Sequence, residues 1–442
     1  MSKLYNLKKA AWYSVENITT IAFGLVSVVM VARFFGPENL GKLSMIQTIS
    51  AIMLFLVVLG LDQLIIRDLS NKKRVLEYIS TVLIMQFSGF ILHIVSVFLV
   101  LYYVYDGVIE HDVMVIAFSV LLTVYFSRAT VLKLYFQSIN RPEVIALSAI
   151  ISRVMAIIYM FYALINGFAY PSVIMFIPLQ AFVQIIILLV IFLRMEDNNN
   201  FNIFKFNPCI AKNLFKEAIP LMASSILFPL FMQADILLIS FIMSENEVGI
   251  YSAASRLITQ FLFVGGIVTM TFYLGMSSRI NEKSLDEEKY IQGVLAMILV
   301  IAIIMSSSVF IFSEHIVNIL YGDKFNGSEK ILEVLSWEWL LILPAALYSR
   351  LLILYGLIKY EFIKSLIVAV FSLSFNYLLI PKFGILAAAY VSLFSYFIAD
   401  LMVYFVFRKT RFLFYIGVKT ILLFFTNPRE LFSRIIYTLS YR

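Results

Sequence analysis

FKEAIPLMASSILFPLFMQADILLISFIMSENEVGIYSAASR, residues 215–256, decides how the chain is read. An apolar helix from Ala218 to Met243 meets a polar turn at Ser244-Glu245-Asn246-Glu247, and a second apolar run starts at Val248. Asp235 and Arg256 lie on opposite sides of that turn. At ~1.5 Å per residue, both sit roughly 15 Å below it in an antiparallel hairpin. An acid and a base at matched depth in two oily helices imply a polar interior and predict an ion pair between them. The turn has an earlier counterpart. Glu38-Asn39-Leu40-Gly41-Lys42-Leu43-Ser44 lines up with Asn246-Glu247-Val248-Gly249-Ile250-Tyr251-Ser252, matching Gly41 to Gly249 and Ser44 to Ser252. Each copy separates the first two apolar spans of its half, so the chain reads as duplicated.

Composition makes the environment plain. Of 442 residues, 62% are hydrophobic and 14% charged, with mean hydropathy +0.94. A soluble domain carries about 25% charge, so this is an all-α integral membrane protein. The net charge of +7 does not indicate nucleic acid, because the basic residues are interleaved with the spans. Cys209 is the only cysteine, which excludes an intrachain disulfide.

Spans of about 20 apolar residues are predicted at 11–35, 43–66, 76–104, 113–137, 143–166, 171–194, 215–243, 247–277, 290–312, 331–355, 361–380 and 384–407. These twelve give an N-terminal six-helix half over 1–194 and a cytoplasmic linker over 195–214. A C-terminal six-helix half over 215–407 and a basic interfacial tail over 408–442 follow. Six is even, so both halves enter the membrane in the same sense, as a parallel repeat. With a cytoplasmic N-terminus, the basic residues outside the spans fall almost wholly on the inner side. The exceptions are Arg33, Lys42, Lys324, Lys330 and Lys382. Both termini are therefore expected to be cytoplasmic. The tail, with Arg429 and Arg434 among apolar positions, reads as amphipathic helices held on the inner leaflet by anionic lipid.

No motif points to an enzyme. A phosphate-binding glycine loop and a nucleophile elbow are absent, and His93, His111 and His315 lack metal-ligand spacing. The informative residues are charges inside spans. Arg128 and Arg153 flank the inner turn near Asn140 and share a depth near the bilayer middle. Each unpaired charge there costs at least ~2.5–3.5 kcal/mol. They either line a wet, cationic cavity for a phosphate-bearing substrate or pair with a hidden acid such as Asp62 or Glu16. Arg33 and Lys42 frame the outer turn and hold a phosphate or contact headgroups. Asp235 and Glu16 are candidates for ion coupling, against an ion pair and a solvated helix end. Arg350 and Asp400, both toward the cytoplasmic ends of their helices, pair with one another or with nothing.

Several stretches carry a family resemblance. Ala32-Arg33-Phe34-Phe35-Gly36-Pro37-Glu38-Asn39-Leu40-Gly41 resembles the first loop of Wzx-type polysaccharide flippases, in the multidrug/oligosaccharidyl-lipid/polysaccharide (MOP) exporter superfamily. Gln233-Ala234-Asp235 with Val248-Gly249-Ile250-Tyr251-Ser252 resembles the seventh-span signature. The runs from Ile319 to Phe325 and from Asn376 to Ala389 resemble two further family stretches, with Leu386 where a glycine is common. The resemblance implies two six-helix bundles about a V-shaped central cavity, working by alternating access. The implied substrate is an undecaprenyl-pyrophosphate-linked oligosaccharide, moved across a bacterial cytoplasmic membrane for O-antigen, capsule or exopolysaccharide synthesis. Arg128, Arg153, Arg33, Lys42 and Arg256 would then form the substrate cavity. No cofactor or metal is expected, with H+ or Na+ coupling left open. Implied partners are membrane lipid, a polysaccharide polymerase and a chain-length regulator. A drug or small-cation exporter of the same superfamily is the alternative, and it needs an acidic cavity.

Overall fold

The computed structural model describes the backbone of residues 2–69, 75–128, 131–195 and 206–440. Within these, the side chains of residues 2–10, 13, 63, 75, 76, 128, 220, 221, 223 and 224 stand outside the description. Helices account for nearly all of it, with no strand among the described residues. The first compact unit, Met1–Gln233, contains α1 (Ser2–Met53), α2 (Phe55–Val58), α3 (Asp62–Leu69), α4 (Val75–Val104) and α5 (His111–Arg128). It continues with α6 (Val131–Ser138), α7 (Pro142–Ile165), α8 (Tyr170–Val173), α9 (Phe176–Met195) and α10 (Pro208–Met232). The second unit, Ala234–Arg442, opens with α11 (Ala234–Ile242), α12 (Glu245–Gln260), α13 (Phe263–Glu282) and α14 (Glu287–Leu320). After them come α15 (Ser328–Ser336), α16 (Trp339–Leu354), α17 (Lys359–Phe383) and α18 (Ile385–Phe397). A π-helical turn (Ile398–Met402), α19 (Val403–Val406), α20 (Arg411–Thr426) and α21 (Pro428–Ser440) complete it.

Nine described helical runs are long and apolar enough to cross a membrane, or eleven when each of two bent pairs counts as one span. The run Ser14–Val58 is divided at Gly36, whose φ of 79° and ψ of −178° interrupt α1. That backbone region is essentially reserved for glycine. Pro37 follows, where its missing N–H costs nothing at the start of the next helix. The expected span 11–35 thus lies in the first arm of α1, and the expected span 43–66 runs through the second arm, α2 and the start of α3. Gly384 makes a similar joint between α17 and α18, at φ 69° and ψ −163°. The turn after α11 is closed by a capping box. Ser244 opens α12, and the Glu247 carboxylate accepts from the Ser244 backbone N–H at 3.2 Å, a feature worth ~1 kcal/mol.

The units divide at Gln233, not within 195–214, and the physical reason is what α10 packs on. Asn207 caps α10, accepting from the N–H groups of Cys209 (2.9 Å) and Ile210 (3.2 Å). Its amide also donates to Glu77 of α4 at 2.8 Å. Further along, Arg67 of α3 pairs with Glu217 at 2.8 Å, and Thr48 of α1 donates to Gln233 at 2.6 Å. These bonds fix α10 on the first unit. The single seventh span expected over 215–243 is therefore broken at Gln233, which leaves helical geometry at φ −126°. Residues 196–205 of the expected linker lie outside the described residues.

In the first unit, α7 packs on α1 and α9, and α5 on α9. In the second, α14 packs on α15 and α16, α11 on α17, and α17 on α18. The tail helices α20 and α21 pack on α14. Leu423 and Leu431 close over Ala296 there, and Lys419 pairs with Glu288 at 2.7 Å.

Candidate functional site

Two buried polar clusters stand out, one in each unit. The first is built on α1, where Glu16, Thr19 and Thr20 share a face at i, i+3 and i+4. Arg153 of α7 reaches that face. Its guanidinium donates to Thr19 Oγ1 (2.5 Å), Thr20 Oγ1 (2.6 Å) and the Glu16 carbonyl (3.2 Å). Glu16 in turn takes Lys133 of α6 at 2.6 Å. Arg153 is only 9% exposed. It is therefore anchored against α1, close to the carboxylate that had been its alternative partner. The side chain of Arg128 lies outside the described residues. Glu16 is buried, not a solvated helix end. Two basic groups share one acid, so the trio Glu16–Lys133–Arg153 keeps one formal positive charge in excess. Lys133 is the member that sequence reasoning missed, and its side chain is 35% exposed.

At the outer turn, Lys42 is buried and its ammonium lies 3.3 Å from Glu38 and 3.2 Å from Glu110. Two carboxylates already neutralise it, so its first role is to tie the second arm of α1 to the segment that starts α5. Arg33 is exposed on the first arm.

The second cluster surrounds Asp235. Its Oδ2 accepts from the Tyr251 hydroxyl at 2.7 Å, and its Oδ1 from the Asn376 amide at 2.7 Å. These neutral donors occupy the place where an ion pair with Arg256 was expected. Arg256 is half-buried on α12, within electrostatic range of Tyr321. Asn376 also donates to Ser372 at 3.2 Å, and Ser392 lies within hydrogen-bonding reach of both Asp235 and Glu338. Glu338 is a second acid that sequence reasoning passed over. It is 5% exposed and falls at the break between α15 and α16. Its Oε1 and the Oδ1 of Asn376 are buried without a hydrogen-bond partner among the described residues. Broken helices that present oxygens to a buried point are a recurring way to hold an ion inside a membrane protein. Two carboxyl groups, an amide oxygen and hydroxyls form a set that a proton or a small monovalent cation would complete. No group of three or more His, Cys, Asp or Glu fit for a metal ion occurs among the described residues.

A third pair corrects another expectation. Asp400 is bound by Lys364 of α17 at 3.2 Å, while Arg350 is exposed on α16. His93 is fully buried, its Nε2 against the Ser50 carbonyl at 3.0 Å, as a helix-contact residue would be.

The fold and these intramembrane charges define a multi-pass transporter-like membrane protein. The profile of the family described as polysaccharide biosynthesis protein matches residues 6–273, and the chain belongs to that family. A relative from Staphylococcus aureus, capsular polysaccharide biosynthesis protein CapF, is 22% identical over 414 residues, covering 91% of this chain and 99% of CapF. Among solved structures, the lipid II flippase MurJ in an inward closed conformation aligns with TM-score 0.67 at 16% identity, covering 97% of this chain and 96% of MurJ. An inward-facing multidrug resistance MATE transporter of the MOP superfamily aligns with TM-score 0.63 at 15% identity, covering 93% and 96%. The chain therefore has the fold of the MOP exporters, and its structural neighbours are transporters.

Proposed function

We propose that the chain is a flippase for undecaprenyl-pyrophosphate-linked oligosaccharide, moving it from the inner to the outer leaflet of a bacterial cytoplasmic membrane by alternating access. Both termini are cytoplasmic in this reading, and the product feeds O-antigen, capsule or exopolysaccharide assembly. A polymerase and a chain-length regulator are the partners that would take it up. The observation that carries the reading is the positive charge in excess, among the described residues, at the part-buried trio Glu16–Lys133–Arg153, in a member of a polysaccharide biosynthesis family. Pyrophosphate cannot cross hydrocarbon unpaired. A basic group that is already desolvated lowers that barrier, while the polyprenyl tail stays in lipid. Lys133, the more exposed of the two bases, and Arg128 are the groups assigned to direct phosphate contact. The interior-negative potential favours the outward step by roughly 5–7 kcal/mol per 100 mV for two to three charges.

Net export needs no coupling ion on that arithmetic, yet the Asp235–Glu338 cluster is built to take a proton or Na+. Its loading would bias which way the transporter opens. The test is translocation of a fluorescent lipid-linked glycan in proteoliposomes under an imposed potential. Wild-type protein moves it, and Lys133→Met slows it without loss of folded protein. A wild-type protein that moves no such glycan under any gradient sinks the reading.

One observation favours a second reading, export of small organic cations: Glu338 joins Asp235 in an acidic, buried site. Efflux of a cationic dye that disappears on Asp235→Asn, with no glycan movement, would establish it.

A further inference from the structure

Two buried acid clusters lie in the second unit, and polar side chains recur at four-residue spacing on the helices between them. The first surrounds Asp235 and Glu338. The second centres on Lys364 (7% exposed) and Asp400 (3% exposed). The Lys364 ammonium lies 3.2 Å from Asp400, 2.9 Å from Glu361 and 3.4 Å from the Tyr404 hydroxyl. Asp400 sits in the π-helical turn. Such turns break the register of a helix and recur at functional sites.

Ser392, Tyr396, Asp400 and Tyr404 follow one another at every fourth residue along α18 and its continuation, as one face of a helix does. On α17, Asn376, Ser372 and Lys364 keep the same spacing with Val368 between them, and α17 packs on α18. Ser392 touches the first cluster. Tyr396 is buried within electrostatic range of Glu338, Asp235 and Asp400 together. Beside Asp400, a cavity of about 30 Å³ is also lined by Tyr348, enough for a water molecule. The groups that face Asp400 are thus Lys364 and Glu361 from α17, Tyr348 from α16, and Tyr396 and Tyr404 from its own helix.

Resting on the cation-coupled reading above, we propose that this row of polar groups is a proton track, with Asp400–Lys364 as its relay and Tyr396 as the bridge to the Asp235–Glu338 acids. In the relay step the O–H bond of the Asp400 carboxyl breaks, and its proton passes to the Tyr396 oxygen. The original Tyr396 hydroxyl proton passes to the Glu338 carboxylate, so the tyrosine ends neutral. The Lys364 ammonium holds the carboxylate left behind. The same ammonium repels Na+ from the track, which makes the path selective for protons.

The test uses purified full-length protein and needs no glycan, so its failure is distinct from failure of the flippase reading. Infrared difference spectra after a rapid pH step follow the carboxyl C=O signal that Asp235→Asn and Glu338→Gln identify. Tyr396→Phe, and separately Asp400→Asn with Lys364→Met, should keep the amplitude of that signal. Each should slow its appearance by about a hundredfold, the scale of a lost positioned proton donor. Tyr396→Phe removes one hydroxyl and nothing else, which guards against a folding defect in the double variant. Wild-type rates in both variants, or no carboxyl signal in the wild type, overturn the proposal.

Discussion

At Glu16, the carboxylate binds Lys133 while the backbone carbonyl accepts from Arg153, and Glu16 is as buried as Arg153. Glu16→Gln keeps the shape but removes the carboxylate that binds Lys133 and lies within electrostatic range of Arg153. A hydrogen bond to a charged group is worth about 1.5–3 kcal/mol, and a loss toward the lower end is expected because Lys133 is partly solvated. The measurement is thermal unfolding in detergent. If the carboxylate acts through Lys133, Glu16→Gln with Lys133→Met should recover part of that loss, a coupling that a double-mutant cycle isolates. Additive losses would mean the pair does not interact. The residue scale also shows what a sequence withholds. The charge on Arg153 was plain, but its partners are two threonines and a carbonyl, groups that hydropathy passes over. Glu338 was hidden between Trp337 and Trp339, inside a run apolar enough to read as plain span.

Among the elements, local signals were legible and tertiary ones were not. The joint at Gly36-Pro37 and the turn opened by Ser244 are written in adjacent residues, so both were expected where they occur. The break at Gln233 was not, because it depends on Thr48 of α1 and on what α10 packs against. The Lys364–Asp400 pair joins two helices, and a π-helical turn sets the phase of the second, so matched depth alone led toward Arg350. The glycine joints make a direct prediction. Alanine at Gly36 or Gly384 must adopt backbone angles that cost about 1–3 kcal/mol. At Gly266 an added methyl group would meet nothing within 4 Å. The same change there should gain up to about 1 kcal/mol, from helix propensity. Unfolding temperatures of the three variants decide it, and equal shifts would refute the assignment.

The docking of α21 makes a pH prediction. Asp286, in the segment between α13 and α14, accepts from the Tyr437 hydroxyl and from Arg279 Nε at 3.1 Å. These bonds, Tyr437 first, hold its carboxyl below the usual carboxylate range. A depressed carboxyl stabilises the docked form above its unfolded value, and the contribution is lost as pH falls through the folded value. Amide exchange in α21 should therefore rise on acidification below the ordinary aspartate range. Tyr437→Phe should move that onset to higher pH, and an unchanged onset would remove Asp286 as the cause.

For the whole molecule, the separation of charge matters most. The first unit holds a cluster with positive charge in excess among the described residues, and the second holds Asp235, a buried carboxyl group bound by neutral donors. On the proposed function, a lipid pyrophosphate and a cation would therefore bind to different units of the chain. If one global change serves both ligands, thermodynamic linkage requires each to alter the affinity of the other by the same factor, about 5- to 150-fold for typical couplings. Binding of lipid-linked glycan, titrated at several pH values or Na+ concentrations, should show that factor. Cation binding, titrated with and without glycan, should return the same number. Asp235→Asn should erase the dependence while glycan still binds. Lys133→Met should weaken glycan binding and leave cation affinity in the absence of glycan untouched. Unequal factors would break the linkage, and no dependence in the wild type would separate the Asp235 cluster from transport. The outward step would then be left to the membrane potential acting on the substrate's own charge.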